Sequence, residues 1–228
     1  MPMDPKVKIL PNPEGNEGSR SNYFAQLLGE LQFLTNATQP DIAFAVNHLS
    51  SYTTNPTMEH VTALKRILRY LKGTKSHGIK YSSSHGDNDD LFHGFFHGFA
   101  DVAYANTDDY KSMAGYIFIA AGGAITWCSK RQTFTALSTT KAKYITLSEA
   151  AHEAYWLRNL YEELAPTMIK GDINGSISMA RNPQFHNHAK HIAVRYHRVR
   201  DAINDGIIKI DSCCDPEQTA DVTLLKWE

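Results

Sequence analysis

The chain has 228 residues, 42% of them hydrophobic and 21% charged, and a net charge of −1. This is the composition of an ordinary globular chain long enough for one good core or two small ones. A net charge near zero excludes a protein that is basic overall, so any nucleic-acid partner must be read from local patches.

No apolar run approaches the roughly 20 residues needed to span a bilayer. The opening stretch MPMDPKVKILPNPEGNEG has no apolar signal region. Both features predict an intracellular chain without a membrane partner. Cys128, Cys213 and Cys214 are three in number, two of them adjacent, which does not read as a disulfide framework and favours a reducing compartment.

Residues 1–20 are rich in Pro, Gly and Asn and are expected to form an extended or disordered lead. Residues 21–81 are expected to form a helical block. Phe24, Leu27, Leu28, Leu31 and Leu34 recur at helical spacing behind the cap candidates Ser21 and Asn22. Pro40 opens a second helix carrying Ile42, Val46 and Leu49. Pro56-Thr57 opens a third, with Val61, Leu64, Ile67, Leu68 and Leu71 on one face and Gly73 at its stop. Its other face holds Lys65, Arg66, Arg69 and Lys72, either a solvated face or one that meets phosphates.

Residues 82–94 contain the polar stretch SSSHGDNDD and are read as a linker, with a second domain over 95–228. There the period changes to two. Residues 96–105 predict a strand, 114–130 two strands joined by a Gly-Gly turn, and TFTALS (133–138) a further short strand. A long helix follows from about Ser138 to Leu164, with Tyr144, Leu147, Ala151, Ala154, Leu157, Tyr161 and Leu164 inward. Then come a strand over 167–173, a short helix over 174–182, a helix over 191–205 stopped by Gly206, a strand over 207–213 and a final helix from 216. A meander followed by helix–strand alternation predicts a mixed α/β fold of about five strands flanked by helices, the element order of the ribonuclease H fold.

Several long stretches then make the chain resemble the C-terminal end of a copia-type retrotransposon polyprotein. They are QPDIAFAVNHLSSYTTNPTMEHVTALKRILRYLKGTK in the helical block, DDYKSMAGYIFIAAGGAITWCSKRQTFTALSTT in the second, GDINGSISMARNPQFHNHAKHIAVRYHRVRDAINDGIIKI, and EQTADV. The resemblance runs from about Tyr23 to Val222. It implies the end of a reverse transcriptase region followed by a ribonuclease H domain. It also implies hydrolysis of the RNA strand of RNA–DNA hybrids by carboxylates holding two Mg²⁺ (or Mn²⁺) ions.

Matched by motif, the resemblance assigns three of the four metal-holding carboxylates to Asp101 in GFADVAYA, Asp172 in GDINGS and Asp221 in QTADV. The fourth is a glutamate in the family's Ser-Thr-Thr-Glu-Ala-Glu-Tyr. Here that stretch reads STTKAKY, and Lys143 stands at the catalytic glutamate's position. The resemblance implies that both Lys141 and Lys143 replace acids, which would also have suited the anion preference of a helix N-terminus. Ala103, Ile173 and Ala193 are further departures from the family pattern.

A lost ligand and a gained cation imply an impaired or lost activity and a site that does not hold its metal. The alternative expectation is a non-catalytic nucleic-acid-binding protein or a domesticated interaction protein. Lys190, Arg195, Arg198 and Arg200 are expected to meet the hybrid, among His186, His188, His191 and His197. Those histidines lack the cysteine pair of a zinc finger. The oligomeric state has no signature in the sequence.

Overall fold

The computed structural model describes residues 1–4, 9–12, 18–81, 97–107, 109–160, 167–171, 198–212, 220 and 223. The expected helices over 174–182 and 216–228 fall outside these residues, apart from Ala220 and Thr223.

The helical block comprises α1 (Gly18–Ala37), a 3₁₀ turn (Pro40–Ile42), α2 (Ala43–Ser50) and α3 (Met58–Gly73). Its core joins Phe24, Leu28 and Leu31 of α1 to Ile42, Val46 and Leu49, and to Val61, Leu64 and Ile67 of α3. Ser21 and Asn22 are not the cap of α1, which begins at Gly18. The proline at position 40 sits in the first turn, where its missing N–H costs nothing. Tyr70 of α3 donates to Asp41 at 2.6 Å, which holds α3 against that turn. Leu68 is exposed rather than inward, because the core is already filled along the Val61–Leu64–Ile67 line. Gly73 is the last helical residue and the cap is Thr74, whose N–H bonds back to Tyr70 and Leu71.

The second half carries β1 (His97–Ala103), β2 (Met113–Ala120), β3 (Gly123–Arg131), α4 (Thr139–Leu160), β4 (Thr167–Gly171) and β5 (Ile208–Ser212). The sheet order is β3-β2-β1-β4-β5. β1 pairs antiparallel with β2 and β2 with β3, whereas β4 is parallel to both β1 and β5. Four strands therefore point one way and β2 opposes them.

The hairpin turn is shifted from the expected Gly-Gly pair. Ala121 and Gly122 take the positive φ values, 50° and 77°. Such a turn matches the twist of the flanking strands. Gly123 is a β3 residue, and a Cβ there would meet the Tyr81 ring at 2.6 Å. Residues 133–138 form no strand. The chain leaves β3 at Gln132, whose side chain bonds to α4, and runs into the Ser138 cap of that helix, so TFTALS serves as the connection from β3 to α4.

One face of the sheet is covered by α4 and by a helical segment at 198–204. Their shared core contains Ala100, Phe118, Tyr144, Leu147, Ala154, Leu157, Ile169, Val199 and Ile208. The segment ends at Gly206 (φ 64°), whose N–H donates to Ile203 O, while Ile207 N–H donates to Ala202 O. This is a left-handed C-terminal stop of the expected kind.

The other face is covered by the helical block. Met113 and Ala103 join that block's core. Ile79 packs with Phe99, Ile117 and Trp127, Trp127 Nε1–H donates to Thr35 O at 2.7 Å, and Tyr81 O–H donates to Ala124 O at 2.6 Å. The contacts thus run across the boundary expected at 82–94.

Gly98 sets the spacing between β1 and β2. A Cβ on it would lie 2.5 Å from Cε1 of the buried Phe118 ring. Gly98→Ala is therefore expected to cost about 1–3 kcal/mol by overpacking, read as a lower urea midpoint at unchanged m-value. A neutral result would mean that the Phe118 ring turns aside freely.

Candidate functional site

The strand directions define where a site is built. β1, β3, β4 and β5 all end at one edge of the sheet, and α4 starts there, seven residues after β3. From β1 the chain builds outward to β2 and β3, then crosses to β4 on the other side. Such a switch point, at the carboxyl ends of strands, is where open α/β sheets form their crevice.

Asp101 lies in the C-terminal half of β1, opposite Gly115 of β2, and is buried at 6% exposure. Alternation puts Ala100 and Val102 on the α4 face, where Val102 packs with Ala136, Ala142 and Ile145. Asp101 shares the other face with Phe99, and Phe99 packs with Ala220. Thr223 O–H donates to Ala220 O at 2.7 Å.

Asp172 and Asp221 lie outside the described residues. Their chain neighbours are Gly171, the last residue of β4, and Ala220, on the Phe99 face. Lys190 and Arg195 also lie outside the described residues, as do the four clustered histidines. Arg198 is exposed and Arg200 half-buried.

The first turn of α4 is held in place by Ser138, where the helix is expected to begin, and by Gln132, which was not singled out in the sequence. Ser138 caps it, its Oγ accepting from Lys141 N–H at 3.2 Å. Gln132, buried at 3%, donates through Nε2 to Ala142 O at 3.0 Å and to Thr146 Oγ1 at 3.2 Å. Its own N–H donates to Ser112 O at 2.8 Å. Ser112 Oγ in turn accepts from Ala105 N–H at 3.1 Å, which fixes the loop after β1. One glutamine thus ties the end of β3, the start of β2 and the start of α4 together.

Helix geometry separates the two lysines. At about 100° per residue, Lys143 falls within about 60° of Thr146, Leu147, Ala150 and Ala154, all buried. Lys143 therefore shares the sheet-facing arc of α4, half-buried in the first turn at the strand-end edge. Lys141 lies about 160° away on the far side.

The remaining acids of α4 are engaged elsewhere. Glu149 pairs with Lys130 Nζ at 3.4 Å, and Glu153 accepts from Thr126 Oγ1 at 2.8 Å on β3. Beside them, burial pushes the Cys128 thiol up, so it is not an activated nucleophile. Among the described residues, no group of three or more His, Cys, Asp or Glu side chains is placed to hold a metal ion. A charged lysine has three donors and no acceptor. Of the two described residues at the expected centre, Asp101 offers carboxylate oxygens to a metal ion and Lys143 offers none.

The sheet order, with a hairpin meander followed by parallel strands across a helix, defines a ribonuclease H-like fold. The foamy viral protease-reverse transcriptase, solved in complex with RNA/DNA hybrid, shares the architecture at TM-score 0.55 and 15% identity, covering 86% of this chain and 25% of that one.

No protein-family model matches the chain. The retrovirus-related Pol polyprotein from transposon RE1 of Arabidopsis thaliana is 37% identical over 231 residues, 99% of this chain and 15% of the polyprotein. That from transposon TNT 1-94 of Nicotiana tabacum is 35% identical over 220 residues, 94% of this chain and 16% of the polyprotein. A shorter relative, secreted RxLR effector protein 161 of Plasmopara viticola, is 36% identical over 135 residues, 59% of this chain and 90% of that protein. The chain belongs to the copia-type retrotransposon Pol polyproteins and corresponds to a ribonuclease H-containing C-terminal part. It spans about one sixth of the length of those polyproteins.

Among the described residues no helix is long and apolar enough to cross a membrane.

Proposed function

We propose that this chain is a ribonuclease H-like module that binds RNA–DNA hybrid and hydrolyses it weakly or not at all. The observation that carries the reading is Lys143, half-buried in the first turn of α4 on the arc shared with Leu147, Ala150 and Ala154. Asp101, Asp172 and Asp221 are the acids that would hold Mg²⁺ or Mn²⁺ in a competent relative. In this chain the fourth position presents an ammonium where a carboxylate is needed. The test is cleavage of an end-labelled hybrid by the wild type, Lys143→Glu and Asp172→Asn.

Binding is proposed to rest on basic side chains away from that centre. Lys65, Arg69 and Lys72 are exposed on α3 and follow one ridge at i, i+4 and i+7. Arg198 and Arg200, with Lys190 and Arg195, supply the second patch. Each phosphate contact releases counterions, so the affinity falls as salt rises, with a log–log slope of about −0.9 per contact on B-form DNA. Replacing Lys65, Arg69 and Lys72 with Ala is expected to weaken hybrid binding and flatten that slope by about 2–3. Fluorescence anisotropy across a salt series measures both. An unchanged slope would assign α3 to solvent.

A second reading, a non-catalytic module with a protein partner, draws on Lys143 and on the existence of a relative named as a secreted effector. Absence of both cleavage and salt-sensitive hybrid binding would favour it.

A further inference from the structure

We infer that His60 is a proton-sensitive latch of the helical block, holding α3 in place while neutral and releasing it when protonated. His60 is fully buried in the first turn of α3, behind Thr57. It occupies the place of the Glu or Gln that usually closes a capping box. Its Nδ1 accepts from Thr57 N–H at 2.7 Å and lies 2.7 Å from Thr57 Oγ1. His60 N–H donates back to Thr57 Oγ1 at 3.4 Å.

This geometry assigns the ring's protonation state. An Nδ1 that accepts from a backbone N–H carries no proton, so the neutral ring holds its hydrogen on Nε2. Nε2 is buried and has no hydrogen-bond partner among the described residues. An imidazolium would set a second N–H against the Thr57 N–H, and both ring nitrogens would be buried donors. A charged ring could donate from Nδ1 to Thr57 Oγ1, but it can no longer accept from Thr57 N–H and leaves a charged Nε2–H buried without a described partner, so protonation breaks half of the box; a carboxylate or amide at this position would carry no such condition.

The ring also sits at the junction of the three helices. It lies tilted by 35° against Tyr52, just after α2, with centroids 4.3 Å apart, and meets Phe24 of α1 edge-on at 6.5 Å. Tyr52 in turn contacts His48, which stacks on Phe44. The titratable groups around His60 are Glu59 on its own helix, His48 on α2 and Tyr52. Burial holds the His60 imidazole below the usual histidine range; Glu59 opposes this and His48 adds to it.

The sign follows. The folded state binds the proton less readily than the unfolded one, so the latch is fully closed above the ordinary histidine value of 6.5. It weakens as pH falls below that value, by up to tenfold in the opening constant per pH unit for one proton, until the folded-state pKa is passed.

The experiment uses the full chain. The His60 ring is titrated by NMR, its signal assigned by its loss in His60→Gln. Amide exchange in α3 and α4 is compared from pH 7.5 to 5. The expected results are a His60 ring that stays neutral well below pH 6.5 and α3 amides that lose protection up to tenfold per pH unit while α4 amides do not. His60→Gln, whose amide oxygen can accept from Thr57 N–H, is expected to abolish that loss. The latch is overturned if His60 titrates normally with α3 still protected, if α3 and α4 lose protection together, or if His60→Gln retains the full dependence. Should His60→Gln fail to fold, the wild-type exchange series and His48→Gln decide: a dependence that vanishes in His48→Gln moves the proton to His48 and overturns the proposal.

Discussion

Wild-type protein is expected to leave an RNA–DNA hybrid essentially intact in Mg²⁺, and Lys143→Glu to raise cleavage by on the order of 10²–10³-fold, the equivalent of roughly 3–4 kcal/mol. The substitution changes the local charge by two units and restores an oxygen donor on the sheet-facing arc of α4. Even at an effective dielectric of about 20, unit charges about 4 Å apart interact by roughly 4 kcal/mol. Glu149 and Glu153 do not substitute, because they are engaged with Lys130 and Thr126 on β3. Ile173 and the altered C-terminal stretch are expected to keep the restored rate below that of an intact relative. Asp172→Asn in the Lys143→Glu background should return cleavage to the wild-type floor. Brisk wild-type cleavage that is lost in Asp172→Asn would show that the lysine is tolerated and would sink the proposed loss of activity.

The second large effect concerns the helical block. Residues 95–228 expressed alone are expected to be unfolded or aggregated, not an independent domain. Removing residues 1–81 uncovers Met113, Ile117 and Trp127, which pack on the block or on Ile79, and breaks the Trp127–Thr35 and Tyr81–Ala124 hydrogen bonds. At about 1.5–3 kcal/mol for each large apolar side chain, the loss is about 5–9 kcal/mol, comparable with the whole stability of an ordinary domain. Trp127→Ala in the full chain should cost less, about 2–4 kcal/mol, because the block stays attached. Circular dichroism and urea unfolding of the truncated chain are the measurement. A cooperative unfolding transition in the fragment would show that the sheet is self-sufficient and that the expected boundary is also a folding boundary.

Much of the fold could be read before any coordinates because its signals are local. The Val61–Leu64–Ile67 spacing specifies a helix with one apolar face, and the alternation in MAGYIFIA specifies a strand. Where the reading failed, a distant contact had decided. The hairpin turn lies at Ala121-Gly122, and Gly123 is a β3 residue whose missing side chain leaves room for Tyr81 and Ile79. TFTALS reads as a strand by composition, yet among the described residues it pairs with no strand. The burial of Gln132 and His60 could not be read from the sequence, since both are polar; both are buried by partners that the fold brings to them.

The sequence by itself determined the family and most of the order of the described elements, which reside in residue identity and short-range spacing. Which face Lys143 takes was decided only by the tertiary structure, because a helix position has no inside until a sheet lies against it. The same holds for the covering of the sheet's second face. Trp127 and Met113 are apolar residues in any reading of the chain, but only the folded protein sets them against α1 and the helical core, some 90 residues away in sequence for the Trp127–Thr35 bond. Hydrophobic burial has no direction of its own, so the partner it selects is a property of the assembled layers and not of any one stretch.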